Sequence, residues 1–166
     1  MNIRFTTSVT VAALAVVLTG TSAYAQTNSR LCNNQLIRGD YAFVVDGYKL
    51  AGPPGSPTGP MKRVAMTTFD GSGHLTQLDT VVVNGVQTSS FSEEEATGTY
   101  QVNPNCTGTF TLTFPAGDPR PPVTVSFVVG DNGNEIDTVV TSPPGALLIG
   151  SIGKRRFSIP VLPFIR

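Results

Sequence analysis

Few side chains in this sequence can move a proton near neutral pH. His74 is the single histidine, and imidazole is the side chain whose unperturbed pKa lies between pH 5 and 8. Ser72 and Asp79 stand close by, so the three have the composition of a nucleophile, a base and an orienting acid. Their placement argues against that chemistry. They fall within eight residues on one predicted hairpin, and no Gly-x-Ser-x-Gly elbow is present to expose a serine. A second group, Asp131, Asn134, Glu135 and Asp137, offers oxygen ligands of the kind calcium takes. Gly133 stands where the EF-hand loop needs a ligand and no downstream glutamate completes it, so a plain hairpin accounts for the group. Gly150-Ser151-Ile152-Gly153-Lys154 has glycines and a lysine, but it lacks phosphate-loop spacing and a following helix. Lys154-Arg155-Arg156-Phe157 is a basic run beside one aromatic, whereas binding single-stranded nucleic acid takes several stacking aromatics along a basic groove. These residues imply no catalytic centre, no metal, no cofactor and no nucleic-acid partner.

Composition points the same way. The 166 residues carry 11 basic and 11 acidic groups, and only 13% are charged. No basic excess exists to attract a polyanion. An apolar content of 40% with balanced charge is wrong for a disordered chain. Two cysteines and one histidine are too few for a zinc module.

The first 25 residues read as a secretory signal peptide. Arg4 gives the positive start, Val9 to Leu18 the apolar run, and Ala23-Tyr24-Ala25 the cleavage site. The run is shorter than the ~20 residues that span a bilayer. Cleavage after Ala25 predicts a secreted or periplasmic protein of residues 26–166, one domain by length. In that oxidising compartment Cys32 and Cys106 predict a disulfide, and pairing Cys106 makes the Asn105-Cys106-Thr107 glycosylation pattern incidental.

The remaining chain alternates with the two-residue period of strands. Phe110, Leu112 and Phe114 share one face against Thr109, Thr111 and Thr113. Val123, Val125 and Phe127 repeat the pattern, and Tyr41, Phe43 and Val45 mark an early strand. Further strands are expected near 62–69, 74–83, 86–91, 98–102, 135–141 and 146–152. Asn84-Gly85 is a two-residue hairpin signal, since a type I′ turn needs positive φ at both centres. Asp70-Gly71-Ser72-Gly73, Asp131-Asn132-Gly133-Asn134 and Pro143-Pro144-Gly145 separate further pairs. Short links force antiparallel neighbours. Residues 52–60, with seven Gly or Pro in nine, and residues 115–122 form longer rims. Glu93-Glu94-Glu95 is expected to interrupt a strand as a solvated bulge.

The fold class is therefore all-β. About eight strands make an antiparallel up-and-down barrel, because closure removes the exposed edges of an open sheet. A two-sheet sandwich is the alternative. A short helix near 30–36 is expected to plug one end. The C-terminal piece 157–166 is apolar, and Pro160 and Pro163 bar it from a central strand. It is expected at the barrel surface or mouth, or as a protein contact. An integral outer-membrane barrel is not expected, because such barrels need strands of ~9–11 residues and aromatic girdles.

Three blocks carry a resemblance. They are Gly39-Asp40-Tyr41-Ala42-Phe43, Thr67-Thr68-Phe69-Asp70-Gly71-Ser72-Gly73, and Gly98-Thr99-Tyr100-Gln101-Val102-Asn103-Pro104-Asn105-Cys106-Thr107-Gly108-Thr109. Together they resemble small secreted bacterial proteins with a calycin-like barrel of the lipocalin, avidin or allene-oxide-cyclase type. The resemblance implies a barrel and brings no catalytic residue with it.

Eight-stranded barrels are either filled by side chains or just wide enough for one ligand. Tyr41, Phe43, Phe110, Leu112, Phe114, Val125 and Phe127 are the candidate interior, ligand-binding residues. The leading expectation is a non-enzymatic barrel with a small apolar ligand. An interaction module with a filled core and, by fold analogy alone, an isomerase or cyclase are the alternatives. The disulfide is directly testable. Mass spectrometry of the unreduced protein is expected to show no free thiol, and reduction is expected to cost roughly 4 kcal/mol, the chain entropy of a loop of about 75 residues.

Overall fold

The computed structural model of the chain describes residues 32–91 and 95–157. The segment expected to be a signal peptide, most of Glu93-Glu94-Glu95 and residues 158–166 of the tail lie outside the described residues. Alternation becomes nine strands: β1 (Gly39–Lys49), β2 (Gly59–Phe69), β3 (His74–Val83), β4 (Val86–Ser89), β5 (Glu95–Val102), β6 (Thr107–Thr113), β7 (Val123–Gly130), β8 (Glu135–Ser142) and β9 (Leu147–Arg155). Eight of them close an antiparallel ring in the order β1-β2-β3-β5-β6-β7-β8-β9, with β9 paired back to β1. The fourth, β4, pairs with β3 alone and stands outside the ring. The barrel replaces the two-sheet alternative. No helix among the described residues is long and apolar enough to cross a membrane.

Several strands run further than the alternating windows predicted. β1 and β2 each have 11 residues, whereas β3 keeps its expected bounds, His74–Val83. The β1–β2 ladder continues through polar Asp46 and Lys62, which are paired on the outer face. Hydrogen bonding there outlasts the apolar pattern. Glu95, expected in a bulge, already belongs to β5.

The turns have the chemistry their residues dictate. Asn84 (φ 49°) and Gly85 (φ 81°) both take the left-handed conformation between β3 and β4. In the β2–β3 turn one Asp70 oxygen accepts the amides of Ser72, Gly73 and His74 at 2.7, 2.9 and 3.0 Å. The Ser72 hydroxyl first, then the His74 and Ser72 amides, hold the Asp70 carboxyl well below the usual carboxylate range.

One end of the barrel is closed. The predicted helix at 30–36 is a single 3₁₀ turn, Asn34–Ile37, and it caps that end. Ile37, Tyr41, Phe69 and Ile136 are fully enclosed beneath it. Phe69 is the centre of the packing. It meets Tyr41 edge-on at 5.5 Å between centroids, Tyr100 at 4.9 Å and Phe110 at 6.3 Å, the arrangement that ring quadrupoles favour. Two glycines opposite aromatics on neighbouring strands make room for the rings. A Cβ on Gly153 would stand 2.3 Å from the Phe43 ring, and one on Gly108 2.2 Å from Phe127.

Arg155 ties the cap down. Its guanidinium donates to Leu36 O and Arg38 O at 2.5 Å each and to Gly133 O at 2.9 and 3.1 Å. It also lies over the Tyr41 ring, 5.1 Å from the centroid. The Tyr41 hydroxyl donates to the same Gly133 carbonyl. Two of the basic residues at the end of β9 are thus structural in part, with Lys154 paired to Glu135 on the outside. Cys32 and Cys106 are bonded, with Cα atoms 5.0 Å apart, and fasten the incoming chain to the β5–β6 turn.

Burial pushes the Tyr41 phenol up to about 12, against the opposing pull of Arg155, and raises Tyr100 as well. The folded protein therefore holds these protons more tightly than the unfolded chain. The stabilisation is whole below pH 10.0 and is lost as pH rises toward about 12. Tyr41→Phe is expected to cost about 1 kcal/mol at pH 7 and to flatten the fall in urea midpoint above pH 10. An equally steep fall in the variant would show that Tyr41 does not carry the alkaline transition.

Candidate functional site

The other end of the barrel is not filled. Inward positions on β2 run Met61, Arg63, Ala65, Thr67 and Phe69, and on β3 Leu75, Gln77, Asp79, Val81 and Val83. Aromatics at the closed end thus give way to smaller side chains and to charge. Arg63 stands opposite Val81 in the ladder, and Asp79 opposite Ala65. The two charged residues are diagonal neighbours on the inner face, within reach of long side chains.

A cavity of about 560 Å³ occupies this end. Its walls are Met61, Val81, Val83, Phe114, Val123, Leu147 and Ile149, and Pro53, Pro119, Pro121 and Pro143 stand at its rim. The rim loops are the Gly/Pro-rich segments 50–58 and 115–122 together with the β8–β9 turn. Below the cavity a smaller space of about 60 Å³ reaches toward the packed end, room for a few waters. The Thr138 and Ser151 hydroxyls face each other beside it at 2.5 Å.

Arg63 lines both spaces and its partner Asp79 the larger one. Nη2 of Arg63 lies 2.5 Å from Oδ2 of Asp79. Ser89 of β4 donates to the other carboxylate oxygen at 2.9 Å. Gln77, fixed by a 3.0 Å bond from Thr67, is the next polar group inward. The pair is mostly buried, with 19% of the Arg63 side chain and 15% of the Asp79 side chain exposed. Burial lowers the pKa of Arg63, Asp79 opposes the shift and Arg120 adds to it. Arg63 stays charged, since arginine does not deprotonate in proteins. Nearer the mouth, the Arg120 guanidinium lies 4.0 Å over the Phe114 ring and bonds Asp118 at 2.9 Å. Lys49 donates to Ser56 at 3.1 Å.

All seven residues predicted for the interior point inward. Phe114 lines both spaces. Phe43, Phe110, Leu112 and Val125 line the small inner one. Tyr41 and Phe127 belong to the packed end and line neither. Arg63, Gln77, Lys49 and Arg120 were not foreseen, although Arg63 and Gln77 fall on the inward phase of their strands. Asp79 was read beside Ser72 and His74, and the structure separates them. His74 is exposed at the start of β3 and faces Asp70 at 3.2 Å, whereas Asp79 points inward five residues along. No group of acidic, histidine or cysteine side chains among the described residues is arranged to hold a metal.

Comparison of the chain with protein-family models, with curated proteins and with solved structures yields no match. The cavity's own geometry therefore carries the functional argument.

The Arg63–Asp79 pair yields a stability test. Asp79→Ala leaves Arg63 buried without its carboxylate and is expected to cost about 3 kcal/mol, whereas Arg63→Met with Asp79→Leu together is expected to cost little or to stabilise. Thermal melts of the two variants check this, and equal losses would show that the charge pairing is not what matters.

Proposed function

We propose that the protein is an exported, non-enzymatic barrel that holds one small, largely apolar molecule in its open end. The observation that carries this reading is a cavity of about 560 Å³ with aliphatic and aromatic walls, a volume typical of small-molecule sites. A barrel with one packed end and one open end gives a bound molecule a single entrance. The disulfide suits an oxidising compartment, in keeping with a leader cleaved after Ala25 and with the calycin-like resemblance. The reading needs no cofactor. Isomerase or cyclase chemistry has less support. Asp79 is the carboxylate in the cavity wall, and it already accepts from Arg63 and Ser89, which ties up the base that proton abstraction would use.

A protein contact is a second reading, favoured by an apolar row on the outer face. Val64, Val44 and Ile152 are direct neighbours across β2, β1 and β9 and are 46%, 61% and 52% exposed. The apolar sequence 157–166 follows β9 in the chain.

Native mass spectrometry of the purified protein tests the first reading. The expected result is an added small-molecule mass that is lost on denaturation, or saturable uptake of an apolar fluorescent probe at one site per chain. Protein that carries nothing and takes up no probe would overturn it. Deleting 157–166 tests the second. A change in oligomeric state supports a contact there, and an unchanged monomer removes it.

A further inference from the structure

We infer that the molecule held in the cavity is a monoanionic amphiphile, a carboxylic acid with an apolar body, whose carboxylate is received at the Arg63 guanidinium. The inference rests on the ligand-binding reading and adds the chemical class.

Charge is the first argument. Among the described residues lining the cavity, Lys49, Arg63 and Arg120 are cationic and Asp79 is the one carboxylate. The chain as a whole is balanced at 11 basic and 11 acidic groups, so cations are concentrated at this end. Arg63 is paired with Asp79 and Arg120 with Asp118, so Lys49 leaves an excess of one positive charge, which favours an anion in a low-dielectric cavity.

The second argument is an unmet hydrogen bond. Nε of Arg63 is the buried side-chain polar atom among the described residues that has no partner. Such an atom costs stability until something pairs with it. Asp79 engages the guanidinium through Nη2, which leaves the Nε side of a planar, five-donor fork for a second acceptor. Arg63 lines the cavity and 19% of its side chain is exposed, so a turn of the side chain would bring Nε to a ligand oxygen.

The third argument selects the class. Arg63 and Arg120 both line the cavity, each with one carboxylate partner, and a single further negative charge is received between two guanidiniums that oppose each other's charge. A dianion would crowd the Asp79 oxygens. Carboxylate matches a guanidinium fork in shape and carries a single charge. The walls beyond, Met61, Val81, Leu147 and Ile149, suit a hydrocarbon body.

The test compares decanoate, decanol and decyltrimethylammonium by isothermal titration calorimetry on the purified, disulfide-bonded protein. Decanoate is expected to bind at least tenfold more tightly than decanol, and the cation more weakly than either. Arg63→Gln combined with Asp79→Asn removes both charges and keeps a neutral polar floor, so it guards against misfolding from an orphaned aspartate. In that variant the preference for decanoate over decanol is expected to vanish, the two affinities becoming equal. Wild-type protein that binds all three alike, or prefers the cation, overturns the inference and leaves the cavity reading standing. A decanoate preference that survives in the double variant overturns the role of Arg63. Binding of none of the three overturns both readings.

Discussion

The closed ring is the constraint on which the rest of this structure depends. β1 is paired along one edge with β2 and along the other with β9, so the eight ring strands have no free side on which to add or lose breadth. Strand number fixes the width of the tube, and at eight strands that width is about what side chains can fill. Whether any given level is solid or hollow then depends on which residues point inward there. Tyr41, Phe69, Tyr100, Phe110 and Phe127 fill one half with rings. Met61, Val81, Val83, Leu147 and Ile149 line the other without reaching its centre.

The two ends also differ in how their polar groups are treated. At the closed end Arg155 is saturated by backbone carbonyls of the cap and of the β7–β8 turn. It acts as a strut, and its charge is spread over neutral acceptors. At the open end Arg63 has one carboxylate and one unpaired donor. A buried ion pair is weak evidence for stability, because desolvation offsets most of the attraction. Retaining such a pair in a half-empty tube makes more sense as a feature of recognition than as one of folding.

Much of the fold was legible in the sequence. Alternation in 109–114 and 123–129 set the inward faces, and Asn84-Gly85 and the turns at 70–73 and 131–134 set antiparallel neighbours. Closure followed from the cost of open edges. The Cys32–Cys106 bond was expected from the two cysteines read in an expected oxidising compartment, and the structure has it. The cavity was less legible, for a physical reason. Strand phase says which residues point inward but not how far across the tube they reach, and that depends on ring size at each level and on partners distant in sequence. Aromatic residues therefore drew attention as ligand contacts, while Tyr41 and Phe127 turned out to be packing. Arg63 and Asp79 were hidden differently. Each is a charged residue in an apolar–polar alternation, and only the β2–β3 register shows that they share the inner face as diagonal neighbours.

The fourth strand gives the wall an uneven seam. Along one edge of β3, His74 to Leu78 are stitched to β5, and Val81 to Val83 are stitched to the short β4. Above Leu78 that edge of β3 is therefore met by a four-residue strand outside the ring, with no second ladder partner among the described strands. Few cross-strand bonds hold that stretch, so its opening free energy lies well below that of the whole barrel. Ser89, which bonds Asp79 at the cavity floor, sits on that strand. This seam of the cylinder is thus fastened from the inside, by a contact with the residue that partners Arg63.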